Sequence, residues 1–207
     1  TAHLLAAIAR GAGLETRVLG TLSWVRTTPE SPELQRILAD YAAEGVDAVV
    51  MEVSSHALAL HRVSGMRFDA AVFTNLGRDH LDLHESMEAY FRAKASLFMP
   101  DLSDTGVTNL DDPYGRLLLD VAAIDMTGYG IDDASDIRVG PSDVAFAWRG
   151  RRVTVPIGGH FNVMNALAAL TCASVLGIDD AVAVAAIAAT QPVPGRLELL
   201  TPTGHPF

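Results

Sequence analysis

The spacing of apolar residues along this chain alternates between segments with a helical period and short runs that are continuously apolar. The helical period predicts six helices: the opening segment up to about Gly11, then 32–43, 86–98, a segment ending near 123, 162–176 and 179–189. The apolar runs predict strands at 17–19, 48–51 and 70–74, and 106–110 is a further predicted strand that ends in polar residues. Apolar strands separated by helices indicate a parallel sheet that is covered on both faces.

One segment departs from this pattern, because between residues 136 and 156 the apolar period drops to two. Val144, Phe146 and Trp148 alternate with smaller or polar residues, and Val153 and Val155 do so again after a basic turn with Gly150. Such alternation on both sides of a short turn predicts a β-hairpin. The predicted fold class is α/β: a mostly parallel sheet flanked by helices, with a small antiparallel hairpin.

Composition narrows the class of protein. With 207 residues, of which 49% are apolar, the chain can form one domain with a sizeable core. A net charge of −10 argues against nucleic acid and anionic membranes as partners. The apolar stretch 178–190 is too short to span a bilayer, no signal peptide is recognisable, and the single Cys172 has nothing to pair with. We therefore expect a soluble cytoplasmic protein.

Candidate chemistry collects where predicted strands end. Glu52 follows the strand 48–51 and precedes Ser54, Asn75 follows the strand 70–74, and the adjoining loop 79–84 carries two aspartates and two histidines. Ligands of open parallel sheets bind beyond the carboxyl ends of the strands. Structural roles are the alternative: a solvated strand end for Glu52, a helix N-cap for Ser54 or its neighbour, and helix-dipole stabilisation for the aspartates.

The ligand-type side chains at these strand ends favour a hard cation. A carboxylate with a single imidazole suits Mg²⁺, which binds few protein ligands and keeps water and phosphate oxygens for the rest. His80 and His84 resemble a zinc pair only in their spacing. No second cysteine or carboxylate motif completes a zinc site, so zinc is disfavoured.

Lys94 is unusual because it lies on the apolar side of its predicted helix, near Tyr90, Phe91 and Leu97. The ordinary explanation is a side chain whose stem packs while its ammonium group reaches water. The alternative is a buried lysine with a lowered pKa, since desolvation disfavours the charged form. A neutral amine can react with CO2 to give a carbamate, which turns a cation into an anionic metal ligand.

Several ordered blocks of sequence together resemble the Mur ligases, and among them the members that add the third residue of the cell-wall peptide. The blocks run essentially the length of the chain; they are 27–32, 51–58 with Arg62, 73–84, 90–98, 159–166 and 193–198. The resemblance implies an ATP-dependent ligase of peptidoglycan synthesis. It also implies that residues 1–207 are the central ATP-binding domain. The phosphate loop that would precede the first helix, and the two flanking domains, lie outside this sequence.

The resemblance further implies a role for individual residues. Mg²⁺ would be held by Glu52, His80 and Lys94, the lysine as its carbamate, and these three are the implied catalytic residues. The nucleotide would be bound by Asn162, Asn165 and Arg196. The UDP-muramoyl dipeptide would be contacted by Thr27, Thr28, Ser54 and Arg62. His160 and Thr1 are expected to be helix-start residues rather than ligands.

The reaction that the resemblance implies has two steps. The γ-phosphoryl group of ATP passes to the D-glutamyl side-chain carboxylate of UDP-MurNAc-L-Ala-D-Glu, and the amine of an incoming amino acid then attacks the acyl phosphate. The amino acid is meso-diaminopimelate or L-lysine. The composition resembles that of actinobacterial relatives, which favours diaminopimelate. The residues that select it would lie in the absent C-terminal domain, and we expect the 207 residues alone to be inactive.

Two other functions remain open from the sequence. A folylpolyglutamate synthetase shares the chemistry, although it should lack the Thr-Thr-Pro block at 27–29 and the Ser-Ser-His block at 54–56. A metal-dependent hydrolase would use Glu52, His80, His84 and a carbamoylated Lys94. That hydrolase would leave Asn162, Asn165 and Arg196 without a role.

Overall fold

A computed structural model describes residues 1–21, 27–77 and 84–191. Its helices within those ranges are α1 Ala2–Gly11, α2 Ser31–Ala43, α3 Ser55–Ala59, α4 Met87–Ala95, α5 Pro113–Val121, α6 Phe161–Val175 and α7 Asp180–Ala188. Its strands are β1 Thr16–Leu19, β2 Ala48–Met51, β3 Phe68–Phe73, β4 Ser103–Asn109, β5 Asp125–Tyr129, β6 Ala134–Val139, β7 Val144–Trp148 and β8 Arg151–Val155. None of the helices in these ranges is long and apolar enough to cross a membrane.

The strands form three groups. β1 pairs with β2 in parallel, and β3, β4 and β5 form a second parallel sheet in that order. β6, β7 and β8 form an antiparallel sheet. The predicted α/β class, with parallel strands between helices and a small antiparallel part, is therefore confirmed. In the expected hairpin, Arg149 and Gly150 both have positive φ, as the tight turn between β7 and β8 requires.

Three elements were not predicted from the spacing of apolar residues. The strand β5 lies at the edge of its sheet and has mostly half-buried or polar residues, so it has no continuous apolar run. The strand β6 is interrupted by a register shift near Asp136, whose φ is +51°, and this shift disrupts the alternation of period two. The helix α3 has only five residues.

The predicted helix 86–98 ends at Ala95 and continues as a 3₁₀ turn over Ser96–Phe98.

The helix α6 lies at the centre of the largest apolar cluster, and most of its residues are buried. It packs against α1 and α7, against the antiparallel sheet and against β4. Cys172 is buried within it, and this burial raises the pKa of its thiol to about 12, so the thiol is unreactive at neutral pH.

We predict that Gly115→Ala strongly destabilises the protein, although alanine favours helices over glycine by about 1 kcal/mol. A Cβ atom at Gly115 in α5 would lie 1.9 Å from the backbone oxygen of Asn109, which cannot move without disturbing β4. We expect a loss of about 3 kcal/mol, the upper range for overpacking, seen as a lower midpoint of thermal unfolding. Asp120→Ala, at an exposed position of the same helix, is the control. An unchanged midpoint for Gly115→Ala would contradict the close contact.

Candidate functional site

The carboxylate of Glu52 is held where β1 and β2 end. Its Oε2 accepts hydrogen bonds from the backbone N–H of Thr21 at 2.9 Å and from the Thr21 hydroxyl at 2.7 Å. The Thr21 hydroxyl lies 3.1 Å from that of Thr27, so the predicted substrate-binding Thr27 reaches Glu52 through Thr21. Thr21 was not predicted from the sequence, although it comes shortly after the strand β1 as Glu52 comes after β2, and ligands bind beyond both strand ends.

Gly20 leaves room for that carboxylate. A Cβ atom at Gly20 would lie 2.8 Å from the Glu52 Cδ and 2.9 Å from Oε2, both at the end of a flexible side chain. We therefore predict that Gly20→Ala displaces the carboxylate at little cost in stability. In the full-length protein we expect kcat/KM for the implied ligation to fall about tenfold. Misplacing a reacting group by about 1 Å lowers the rate by up to about 100-fold. Loss of folding with no specific effect on activity would contradict this.

Thr28, which is 1% exposed, holds the end of β2 in place by hydrogen bonds. Its hydroxyl donates to the backbone oxygen of Glu52 at 2.9 Å and accepts from the N–H of Ser54 at 3.1 Å. The hydroxyl of Ser54 accepts from the N–H of Ala57, which makes Ser54 the N-cap of α3. The structural alternative for Ser54, a helix cap, is therefore confirmed, and contact with a substrate stays a prediction.

Arg62 adds a positive charge to the residues around Glu52. Its Nη1 donates to the backbone oxygen of Thr28 at 3.2 Å, and its Nη2 pairs with Glu30 at 2.8 Å. Its buried Nε has no hydrogen-bond partner among the residues that the structure describes. The four residues predicted to contact the muramoyl substrate thus lie together around Glu52, linked by hydrogen bonds.

The ammonium group of Lys94 lies near two aromatic rings, 5.7 Å from the ring centroid of Phe73 and 5.7 Å from that of Tyr90. Desolvation lowers the pKa of Lys94, and the negative charge of Asp112 opposes this only in part. Of the two alternatives for Lys94, the direction of the pKa shift agrees with the second, although the side chain is half-buried. Carbamoylation of Lys94 stays a prediction.

Asp112 was missed by the sequence analysis. Its Oδ1 caps α5 by accepting from the N–H groups of Tyr114 and Gly115, and its Oδ2 accepts from the N–H of Leu76 at 3.3 Å. It thereby ties the segment after β3 to the start of α5. The Asp-Pro pair at 112–113 is a recognisable helix-start signal, but nothing in the sequence shows that it lies close to Lys94.

His84 has a packing role. It is 5% exposed, its ring stacks on Tyr90 with centroids 4.9 Å apart, and the ring of His56 meets it edge-on at 6.0 Å. In the part of the chain that the structure describes, no three His, Cys, Asp or Glu side chains form a cluster suited to a metal ion. The predicted His80 and Arg196, together with the aspartates at 79 and 82, lie outside the described residues.

A second polar group forms around α6. Asn162 is buried and donates from Nδ2 to the backbone oxygen of Gly158, and its Oδ1 accepts from Asn165 at 3.0 Å. The Oδ1 of Asn165 accepts from the hydroxyl of Thr1 at 2.8 Å. Both predicted nucleotide-binding asparagines are thus joined to the start of α1. Thr1 does occupy the N-cap position of α1, as expected, but its side chain bonds Asn165 and does not cap the helix. His160 likewise begins α6.

Glu52 and Thr1, one residue from each polar group, line one cleft together with Thr74 and Lys94. Asn75 is exposed. The arrangement brings together a carboxylate, several hydroxyls and an amine of lowered pKa. Oxygen ligands of this kind suit a hard cation that keeps most of its coordination sphere for water and phosphate oxygens.

Comparison with known proteins gives a consistent result. The Mur ligase middle domain family matches residues 1–173. The chain is 46% identical over 194 residues to UDP-N-acetylmuramoyl-L-alanyl-D-glutamate--2,6-diaminopimelate ligase from Streptomyces avermitilis, covering 88% of this chain and 38% of that protein. It is 42% identical to the ligase of the same name from Geobacter sulfurreducens, covering 96% and 44%. A solved structure of a ligase with this name superposes with a TM-score of 0.81 at 31% identity, covering 94% of this chain and 44% of that one. The chain therefore spans less than half the length of these relatives.

Proposed function

Because the chain belongs to the Mur ligase family, we propose that the full-length protein joins an amino acid, meso-diaminopimelate, to UDP-MurNAc-L-Ala-D-Glu at the expense of ATP. The observation that carries this proposal is 46% identity, over 88% of the chain, to a relative named as a 2,6-diaminopimelate ligase. The names of these relatives favour the muramoyl ligase over the folate ligase and the hydrolase. Residues 1–207 would be its central ATP-binding domain.

The site fits the divalent cation that ATP-dependent ligation requires. The Glu52 carboxylate holds its orientation through Thr21, which engages only its Oε2, and this leaves Oε1 to face a ligand. We infer that Glu52, His80 and the carbamate of Lys94 would hold Mg²⁺. Bound there, the ion would neutralise phosphate charge and so lower the repulsion between ATP and the substrate carboxylate.

The remaining residues would bind and orient the two substrates. Arg62 and the hydroxyl of Thr27 lie around Glu52, where they would bind the anionic muramoyl dipeptide. The hydroxyl of Thr28 is buried and bonded to the backbone of Glu52 and Ser54, so Thr28 would act by holding the end of β2 in place. The amide groups of Asn162 and Asn165 would bind the nucleotide, and Arg196 would reach its phosphates. Holding both substrates beside Glu52 would bring the γ-phosphate and the D-glutamyl carboxylate into contact, which is the main requirement of phosphoryl transfer.

The test is ADP release by the full-length protein with UDP-MurNAc-L-Ala-D-Glu and either meso-diaminopimelate or L-lysine. We expect ADP release to require the amino acid, with kcat/KM at least about 100-fold higher for diaminopimelate, because a site built for a charged group rejects analogues that lack it. Folate substrates and the 207-residue chain alone serve as controls without turnover. Preference for L-lysine would overturn the substrate assignment, and metal-dependent turnover without ATP would overturn the ligase itself.

A further inference from the structure

Polar side chains at the start of α6 form an ordered chain of hydrogen bonds that ends on α1. Asn162, which is 6% exposed, donates from Nδ2 to the backbone oxygen of Gly158 at 2.6 Å. Asn165 donates from Nδ2 to Oδ1 of Asn162 at 3.0 Å. The hydroxyl of Thr1 donates to Oδ1 of Asn165 at 2.8 Å. A backbone oxygen, two amides and a hydroxyl are thus linked in series.

The direction of every bond in this chain follows from its Gly158 end, because a backbone oxygen can only accept. The Asn162 atom that faces Gly158 must therefore be the nitrogen, which leaves its oxygen facing Asn165. Asn165 must meet that oxygen with its own nitrogen, so its oxygen faces Thr1 and the Thr1 hydroxyl has to donate. Turning over either amide would place two oxygens against each other.

The Gly158 end of the chain is itself held by close packing. A Cβ atom at Gly158 would lie 2.2 Å from the backbone oxygen of Pro141 and 2.9 Å from that of Gly140, so the two backbones meet without a side chain between them. Gly140 and Pro141 lie between β6 and β7. The antiparallel sheet therefore restrains the oxygen that Asn162 binds.

The Thr1 hydroxyl at the other end is not used by its own helix. Thr1 is the N-cap residue of α1, but its side chain makes no cap hydrogen bond. The hydroxyl has one hydrogen and gives it to Asn165, so it is the donor that completes the chain. Without this donor the Asn165 oxygen would lose the partner that fixes its amide, and the amide could then turn.

We propose that Thr1 is a positioning residue for nucleotide binding. Its hydroxyl keeps the amides of Asn165 and Asn162 in the orientation set by Gly158, in which each amide nitrogen has one hydrogen left outside the chain. The half-buried Asn165 then offers an N–H donor to an acceptor atom of the nucleotide, and the buried Asn162 holds it in place. This assignment rests on the proposed role of the two asparagines in binding ATP.

An amide that is fixed in advance binds better because the ligand does not have to orient it. An asparagine presents either its oxygen or its nitrogen, depending on a half-turn of its terminal bond, and an acceptor atom of the nucleotide would repel the oxygen. The donor that prevents this half-turn comes from α1, whereas the asparagines lie on α6. The packing of α1 against α6 therefore contributes to the nucleotide site.

Calorimetric titration of ADP and Mg²⁺ into the full-length protein measures the effect. Thr1→Val keeps the shape of the side chain without its hydroxyl, and we expect it to raise the Kd of ADP about fivefold, a size typical of one neutral hydrogen bond. Thr1→Ser keeps the donor and should stay within about twofold of the wild type. Thr105→Val is the matched control, because it removes a hydroxyl bonded to the backbone oxygen of Asp125 in β4, and it should leave the Kd unchanged.

A double-mutant cycle separates positioning from direct contact with the nucleotide. In an Asn165→Ala background, Thr1→Val should change the Kd of ADP by less than about 1.5-fold, because the side chain through which Thr1 acts is gone. A fivefold effect that persists in this background would mean that Thr1 touches the nucleotide itself, and it would overturn the proposal. Equal affinity of Thr1→Val and the wild type for ADP would also overturn it.

Binding of the second substrate distinguishes this role from damage to the fold. The Kd of UDP-MurNAc-L-Ala-D-Glu should be the same for Thr1→Val and the wild type, whereas weaker binding of both ligands would refute a role specific to the nucleotide. A wild type that binds ADP, with Thr1→Val identical to it, would refute the role of Thr1 and leave the proposed ligase function intact. A wild type that binds no ADP would refute both.

Discussion

Replacing Lys94 by alanine in the full-length protein should lower kcat for ligation by at least about 100-fold, and short carboxylic acids such as formate or acetate should restore part of it. The loss is expected because the variant lacks the anionic ligand that a carbamate of Lys94 would provide, and removal of one such electrostatic group costs about 100- to 1,000-fold. A small carboxylate can occupy the vacated space near Phe73 and Tyr90 and supply the missing charge. ADP release with and without added formate measures both effects.

Two controls separate this effect from damage to the fold. Arg92→Ala, on the same helix and exposed, removes a surface ion pair with Glu88 and should leave kcat within about twofold. The pKa of Lys94 is lowered from 10.5, so the unfolded chain binds more protons than the folded one below that pH. In buffer freed of CO2 and bicarbonate, where Lys94 stays an amine, the wild type should therefore gain stability as pH rises towards 10.5, and Lys94→Ala should lack that part of the gain. Full activity of Lys94→Ala in buffer freed of bicarbonate would contradict the carbamate.

Much of the fold could be predicted because burial and period agree along most of the chain. The strand β2 is a continuous apolar run, and the alternation of Val144, Phe146 and Trp148 corresponds to the buried face of β7. The polar residues at the ends of β2 and β3 followed from the strand-end rule. The position of Lys94 on the apolar side of α4 was predicted, and it made a lowered pKa one of two alternatives, of which the direction of the shift agrees with this one.

What the sequence could not predict depends on contacts between distant segments. Asp112 is 18 residues from Lys94, and only the folded chain brings its charge close enough to affect the lysine pKa. The hydrogen bond between Thr1 and Asn165 joins residues 164 positions apart. The contact of Gly115 with the Asn109 backbone depends on how α5 packs against β4, which no local pattern encodes.

Replacing Glu52 by glutamine should raise the Mg²⁺ concentration for half-maximal activity at least about tenfold and lower kcat/KM about 100-fold. The amide has the shape of the carboxylate, and its oxygen can still accept the two hydrogen bonds from Thr21. The substitution therefore removes the charge while keeping the local contacts. A hard cation with few protein ligands depends strongly on each carboxylate that remains, because neutral oxygens bind Mg²⁺ more weakly. A Mg²⁺ titration of ADP release by the full-length protein gives both values.

The Gly20→Ala variant separates loss of the Glu52 charge from displacement of its carboxylate. That variant keeps the Glu52 charge but moves the carboxylate, so its activity should fall less than that of Glu52→Gln and recover in part at high Mg²⁺. Glu33→Gln, an exposed position in the first turn of α2, removes the same charge from the chain at a distance and should change neither value by more than about twofold. If Glu52→Gln lowers activity while the Mg²⁺ requirement stays that of the wild type, Glu52 does not hold the metal. Its negative charge would then be needed for another step, because the amide of glutamine keeps both hydrogen bonds from Thr21.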